Sequence, residues 1–202
     1  MRRDARERRA ALLVAAEACF RERGFLVPLD DIARRAGVSR GTLYRNFADR
    51  MALVLALFDD ELTHLGDSLA DVSDTGQALR EFVLGGARMA ALYNRLAADM
   101  PADHGSHAGL LGLHARAIKL LEPIVRAAKA QGRLRRDVTP ADILLLGRMV
   151  GGVLSPWYGA EQARANTEAA FRLISAGVLL EEEPGRRERH RERLPDSSTM
   201  PL

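Results

Sequence analysis

Cysteine, lysine and long hydrophobic runs are scarce in this chain of 202 residues. The single cysteine, Cys19, excludes an internal disulfide and any metal site built from several thiolates. Only Lys119 and Lys129 are lysines among 30 basic residues, so the choice of arginine at any one position carries little information. No apolar stretch reaches the ~18 residues that a membrane-spanning helix needs. The longest, at 143–154, is interrupted by Gly147, Arg148 and the pair Gly151–Gly152. The opening MRRDARERR lacks an apolar run ending in a cleavage site, so a secretory leader is not expected and the cytosol is the expected compartment. No fixed-period repeat and no sustained strand-type alternation occur. Also missing are a Ser/His/Asp order, a phosphate loop and a paired-acid motif in a believable context; Gly85–Gly86 and Gly151–Gly152 read as helix-packing glycines.

What is present is positive charge in the first quarter. Residues 1–50 carry 12 Arg against 7 acidic residues, a net of +5 in a chain whose total is +3. The remainder is close to neutral. Such asymmetry points to a polyanionic partner for the N-terminal part. The apolar fraction of 47% and charged fraction of 28% suit a folded globular chain.

Helical spacing runs through nearly the whole sequence, and about nine helices with no strands are expected. Leu12, Leu13, Ala16, Cys19 and Phe20 define a first helix ending at Gly24. Two short helices follow at 30–36 and 40–47. Met51, Val54, Leu55, Phe58, Leu62, Leu65 and Leu69 then step by threes and fours along a long amphipathic helix whose start Asp49 can cap. Further helices are expected at 79–98, at 110–130 with Pro123 kinking or splitting it, from Thr139–Pro140 onward, and at 162–180. A loop is expected at 101–109, and residues 181–202 read as a disordered tail.

The most informative stretch is LDDIARRAGVSRGTLYRNF, residues 29–47. Ile32, Ala33 and Ala36 give its first helix one apolar face. Gly37 permits a sharp turn, Val38 plugs the corner and Ser39 can cap the next helix. There Leu43 and Phe47, four apart, face the core, while Gly41 and Arg45 face away and Thr42 and Tyr44 lie on the flanks. This is the pattern of a helix-turn-helix, whose second helix enters the major groove.

The string resembles the N-terminal DNA-binding domain of the TetR family of bacterial transcriptional regulators. The likeness spans about residues 7–66 and rests on Phe20, Gly24, Phe25, Asp31–Ile32–Ala33, Ala36–Gly37–Val38–Ser39, Gly41–Thr42–Leu43–Tyr44, Phe47 and Asp49–Arg50–Met51–Ala52–Leu53. Pro28 and Leu29 stand where the family usually has a Thr or Ser that contacts phosphate, and Arg50 replaces its usual Lys. The resemblance implies that Thr42, Tyr44 and Arg50 hold DNA phosphates. It implies that Arg40, Gly41 and Arg45 face base edges, next to the capping Ser39. Arg34 and Arg35 read as solvated charges. Arg2, Arg3, Arg6, Arg8 and Arg9 read either as phosphate contacts or as a soluble arm.

Beyond residue 66 the resemblance is architectural. It implies an all-α C-terminal domain at 67–180 that binds a small molecule and dimerises. Leu146, Val150 and Val153, with Phe171, Ile174 and Val178 of the last helix, are the expected two-fold interface; the alternative is that their helix is central in one chain. Met89, Tyr93, Leu96, Leu111, His114 and Ile118 are the candidate effector lining, mostly apolar, with Arg88, Arg95 and Arg116 on the same helices leaving an anionic ligand open. His104, His107 and His114 do not show a metal-binding spacing, and neither metal nor cofactor is expected. Cys19 reads as a small core residue.

Together these readings describe a homodimeric regulator that binds an inverted repeat in double-stranded DNA, a repressor released by an effector, with no membrane partner and no enzymatic role. The alternatives are an all-α enzyme or carrier with an incidental helical hairpin, and a ligand-independent regulator or an activator of the same family.

Overall fold

Short-range capping decides where the helices begin. In the computed structural model, which describes residues 2–70, 72–100, 104–153 and 160–177, eight helices and no strand are found among the described residues. They are α1 (Arg2–Arg23), α2 (Leu29–Arg35), α3 (Arg40–Asn46), α4 (Arg50–Ala70), α5 (Thr75–Ala97), α6 (His104–Ala130), α7 (Pro140–Gly151) and α8 (Ala160–Ser175). The Asp49 carboxylate accepts from the Ala52 amide at 2.7 Å and opens α4. Asp74 does the same for α5 through Gln77. At α7, Thr139 and Asp142 cap each other's backbone amides, with Pro140 at the first turn. The carboxylates of Asp74 and Asp142 are held below their usual pKa, Asp74 chiefly by the Gln77 amide and Asp142 chiefly by the Thr139 hydroxyl.

Sequence and structure part in three places. The stretch 101–109, expected as a loop, is already helical from His104. Helix α6 runs through Pro123 as one element, which excludes the split into two pieces and leaves the kink as the alternative. Helix α8 ends at Ser175, before the expected 180. The tail at 181–202 lies outside the described residues.

Two apolar clusters organise the packing. The first gathers α1, α2 and α3 with the front half of α4, from Met51 to Phe58, and takes in Leu92 and Leu96 of α5. The second joins Leu62 and Leu69 of α4, the front of α5, and the inward residues of α6 and α7. Helices α4 and α5 therefore each belong to both.

The tightest crossing is that of α5 and α7. A Cβ on Gly147 would stand 3.4 Å from the Val83 carbonyl oxygen, and one on Gly151 only 2.7 Å from that of Ala87. Both obstacles are backbone and cannot swing away. Leu146 and Val150 of the same helix are buried inside this single chain. That corrects their assignment to an interface between chains, since α5 already covers them.

Gly151→Ala is expected to lower unfolding free energy by about 1–3 kcal/mol in urea denaturation, because the new methyl has no space. Gly112→Ala, on an exposed turn of α6 with nothing within 4 Å of the added carbon, should raise it by about 0.5–1 kcal/mol. Equal shifts for the two would show that the crossing is looser than described.

Candidate nucleic-acid interface and effector cavity

The corner before α3 is closed by backbone alone. Gly37 takes φ +67°, its amide reaches the Arg34 carbonyl at 3.1 Å, and the Val38 amide reaches that of Ala33 at 3.0 Å. Ser39 then caps α3, accepting from the Thr42 amide at 3.2 Å. Leu43 and Phe47 are buried in the first cluster, which fixes the rotation of α3.

That rotation turns Arg40, Gly41, Tyr44, Arg45 and Asn46 to solvent, and α3 contains no acidic residue. Thr42, half-buried on the flank, is bonded to Ser39 through their hydroxyls at 3.0 Å and accepts from the Arg45 guanidinium at 3.0 Å. Arg40 reaches Asp30 of α2 at 3.2 Å and lies over the Tyr44 ring, 5.5 Å from its centre. Gly41 has open space on the protein side: an added Cβ would find its nearest neighbour at 3.9 Å.

Other arginines of the N-terminal unit are engaged with the protein itself. Arg35 pairs with Glu22, and Arg23 and Arg34 with Asp31. The carboxyls of Glu22 and Asp31 are held below their usual range, chiefly by Arg35 and Arg23 respectively. Arg9 lies 4.8 Å from the centre of the Phe47 ring. Arg50, expected at a phosphate, is half-buried at the start of α4. Its guanidinium donates to the carbonyls of Phe25, at 2.5 Å, and Val27, and stacks over the Phe25 ring. From the opposite side of the sequence, Arg95 of α5 donates to the carbonyls of Phe20 and Glu22, the latter at 2.9 Å. Two arginines thus tie α4 and α5 to the end of α1 and the turn after it, contacts that no local spacing signals.

A cavity of about 520 Å³ opens between α4, α5, α6 and α7. Of the expected effector lining, Met89, Tyr93, Leu111 and His114 face it. Leu96 does not: it is fully buried in the first cluster. Ile118 is half-buried and outside the lining. Residues that the sequence did not mark also contribute, among them Phe58 and Leu62 of α4, Asn94, His107 and Arg148. The Phe58 and Tyr93 rings meet across α4 and α5 at 6.5 Å. Of the remaining expected interface residues, Phe171 and Ile174 are half-buried against the second cluster. Val153 is exposed, and Val178 lies outside the described residues. Large apolar side chains are exposed instead at Leu145, Met149 and Leu173. The side chain of His104 is likewise undescribed.

Residues 12–57 match the family model of bacterial regulatory proteins, tetR family. The chain is 38% identical over 82 residues to the HTH-type transcriptional activator FasR of Mycolicibacterium smegmatis, a match over 38% of this chain and 37% of that protein. It is 42% identical over 73 residues to the HTH-type transcriptional regulator TtgR of Pseudomonas putida, covering 36% of this chain and 34% of that one. The matches to these curated relatives therefore span little more than a third of their length. Among solved structures, a TetR transcriptional regulator from Streptomyces coelicolor superposes with a TM-score of 0.67 at 28% identity, over 86% of this chain and 99% of its own. A TetR transcription regulatory protein from Mycobacterium vanbaalenii gives 0.63 at 29%, over 89% and 99%.

Arg50→Met is expected to destabilise the fold by about 1–3 kcal/mol, since it leaves two backbone carbonyls without their donor. Thermal unfolding followed by circular dichroism measures this. A midpoint equal to that of the unaltered chain would mean that the contacts to Phe25 and Val27 carry no weight.

Proposed function

We propose that the chain is a TetR-family transcriptional regulator that reads an inverted repeat in duplex DNA as a homodimer, a reading supported by the family match over residues 12–57 and by the shared fold. The reading divides it into a DNA-binding unit at 1–66, a ligand-binding and dimerisation unit at 67–180 and a tail at 181–202. As a regulator it acts where the chromosome lies, in the cytosol, and does no chemistry on its ligand. The single observation that carries DNA binding is the outward face of α3. Four side chains there point to solvent, two of them arginines, without an acid.

Gly41 sharpens this reading. A glycine inside a helix costs about 0.5–1 kcal/mol relative to alanine, and the fold has room for a side chain at this place. The demand for a bare backbone therefore comes from outside the chain, from a surface approaching α3 closely. A base edge in the major groove fits. Arg40 and Arg45 would flank it and read bases, while Tyr44, Thr42 and the Ser39 hydroxyl would face phosphates. Arg50 enters this scheme as a positioning residue that holds the turn ahead of α2, with phosphate contact left to any donor the turn does not occupy.

A repressor needs a second state. In the proposed switch a small molecule in the cavity separates the two reading heads by favouring a spacing that does not fit the operator. Helix α5 offers a path. It lines the cavity at Met89 and Tyr93, packs Leu92 and Leu96 into the DNA-binding cluster, and holds the end of α1 through Arg95. The two-fold interface is proposed at exposed apolar side chains of the last two helices and the turn after α7: Leu145 and Met149 of α7, Val153 just after it, and Leu173 of α8.

Fluorescence anisotropy with a selected duplex tests both parts. Arg45→Ala should relax preference at one base pair of each half-site at about 1–3 kcal/mol per half-site. Gly41→Leu should weaken binding to all duplexes while leaving the unfolding midpoint nearly unchanged. Identical site preferences for the variants and the unaltered chain would remove the proposed recognition helix. Met149→Arg should give monomers by sedimentation and lose tight binding to an inverted repeat; a monomer that binds it at full affinity would remove the two-fold argument.

A further inference from the structure

Arg148, exposed to solvent, is the one arginine of the described cavity wall. Elsewhere in the C-terminal half, Arg80, Arg116, Arg133 and Arg135 each meet a carboxylate, those of Glu168, Asp59, Asp74 and Asp137. Arg148 instead meets His114, its guanidinium 3.1 Å from the ring Nδ1. Arginine has donors only, so the imidazole nitrogen must be the acceptor. A ring that accepts at Nδ1 is neutral and carries its proton on Nε2. Arg148 therefore gains a hydrogen bond and no counter-charge. The described lining contains no Asp or Glu that would supply one. The rest of the wall is largely apolar, with the imidazole of His107, the amide of Asn94 and the phenol of Tyr93 as further polar groups.

We infer that the cavity takes an amphipathic carboxylate, its acid group on Arg148 and His114 and its apolar body against residues such as Phe58, Met89 and Leu111. A guanidinium offers a carboxylate two parallel donors, and the imidazole Nε2–H is a further donor. An acidic ligand supplies the charge that the wall lacks. A basic ligand would stand beside an unneutralised cation, and a neutral one would leave it unmatched. The volume of about 520 Å³ suits a small organic acid of this kind. The assignment rests on the proposed effector role of the cavity for its biological meaning.

Two matched series test it on the full chain by isothermal titration calorimetry: octanoate with octanol and octylamine, and naphthaleneacetate with naphthaleneethanol and naphthaleneethylamine. The acid of at least one series is expected to bind about tenfold or more tightly than its alcohol, with the amine weakest. Arg148→Met should remove that preference and leave alcohol binding within about twofold. Arg148→Gln serves as the second variant, with circular dichroism verifying the fold of both. Alcohols or amines that bind as well as the acids, no binding by any member, or an acid preference that survives in both variants would overturn the assignment. Duplex binding is measured on the same samples. Acid preference in a chain that binds no DNA would keep the carboxylate site and overturn the regulator. DNA binding that responds to the alcohols alone would keep the regulator and overturn the carboxylate.

Discussion

Helix α5 has to satisfy two cores at once, and most of the molecule follows from that constraint. Its front half lies against α7 so closely that glycine is required at 151, and its rear half gives Leu92 and Leu96 to the cluster beneath α3. Between them it forms one wall of the cavity. Any rotation of α5 that widened the cavity would also move Arg95 and the α1 carbonyls that it holds. The physical requirement for a switch, two sites sharing one rigid element, is thus met by packing rather than by a flexible hinge.

The charge distribution makes a related point. The excess of arginine in the first 50 residues suggests a polyanion partner, yet most of those arginines that the structure describes in detail are bound to the protein. Arg23, Arg34 and Arg35 hold the α1–α2 corner through Asp31 and Glu22. Arg50 holds backbone. Among the described residues, exposed arginines remain at Arg6 and Arg8 of α1 and at Arg40 and Arg45 of α3, the last two held by short polar contacts within the N-terminal unit. Net charge brings a polyanion near, and α3 decides what is done with it.

How much of this was legible depended on distance along the chain. The helix-turn-helix could be read residue by residue because Gly37, Ser39, Leu43 and Phe47 act within ten positions of one another. The starts of α4 and α7 were equally plain, since Asp49 and Thr139 cap amides three residues away. The second half resisted for a physical reason. Helix α7 is apolar on most faces, so its sequence does not say which face is inward. The spacing therefore offers Leu146 and Val150 as an interface, although both are buried within the single chain. Leu96 fitted the spacing of a cavity wall and lies in the other core. The pair Arg148 and His114, and the grip of Arg50 and Arg95 on the α1–α2 turn, join residues 23 or more positions apart. No periodicity reports such contacts.

The separation of inward and outward residues on α3 has a consequence for descent as well as for mechanism. Leu43 and Phe47 answer to the core. Positions 40, 41 and 45 answer to nothing inside the chain that a substitution would greatly offend. Under the proposed function, duplicated copies of such a gene could therefore explore new operators one outward residue at a time without losing foldability, and a copy with a changed address would keep the same proposed effector. Rewiring of a regulatory circuit would then need few substitutions, confined to a patch of the surface that the rest of the protein does not monitor.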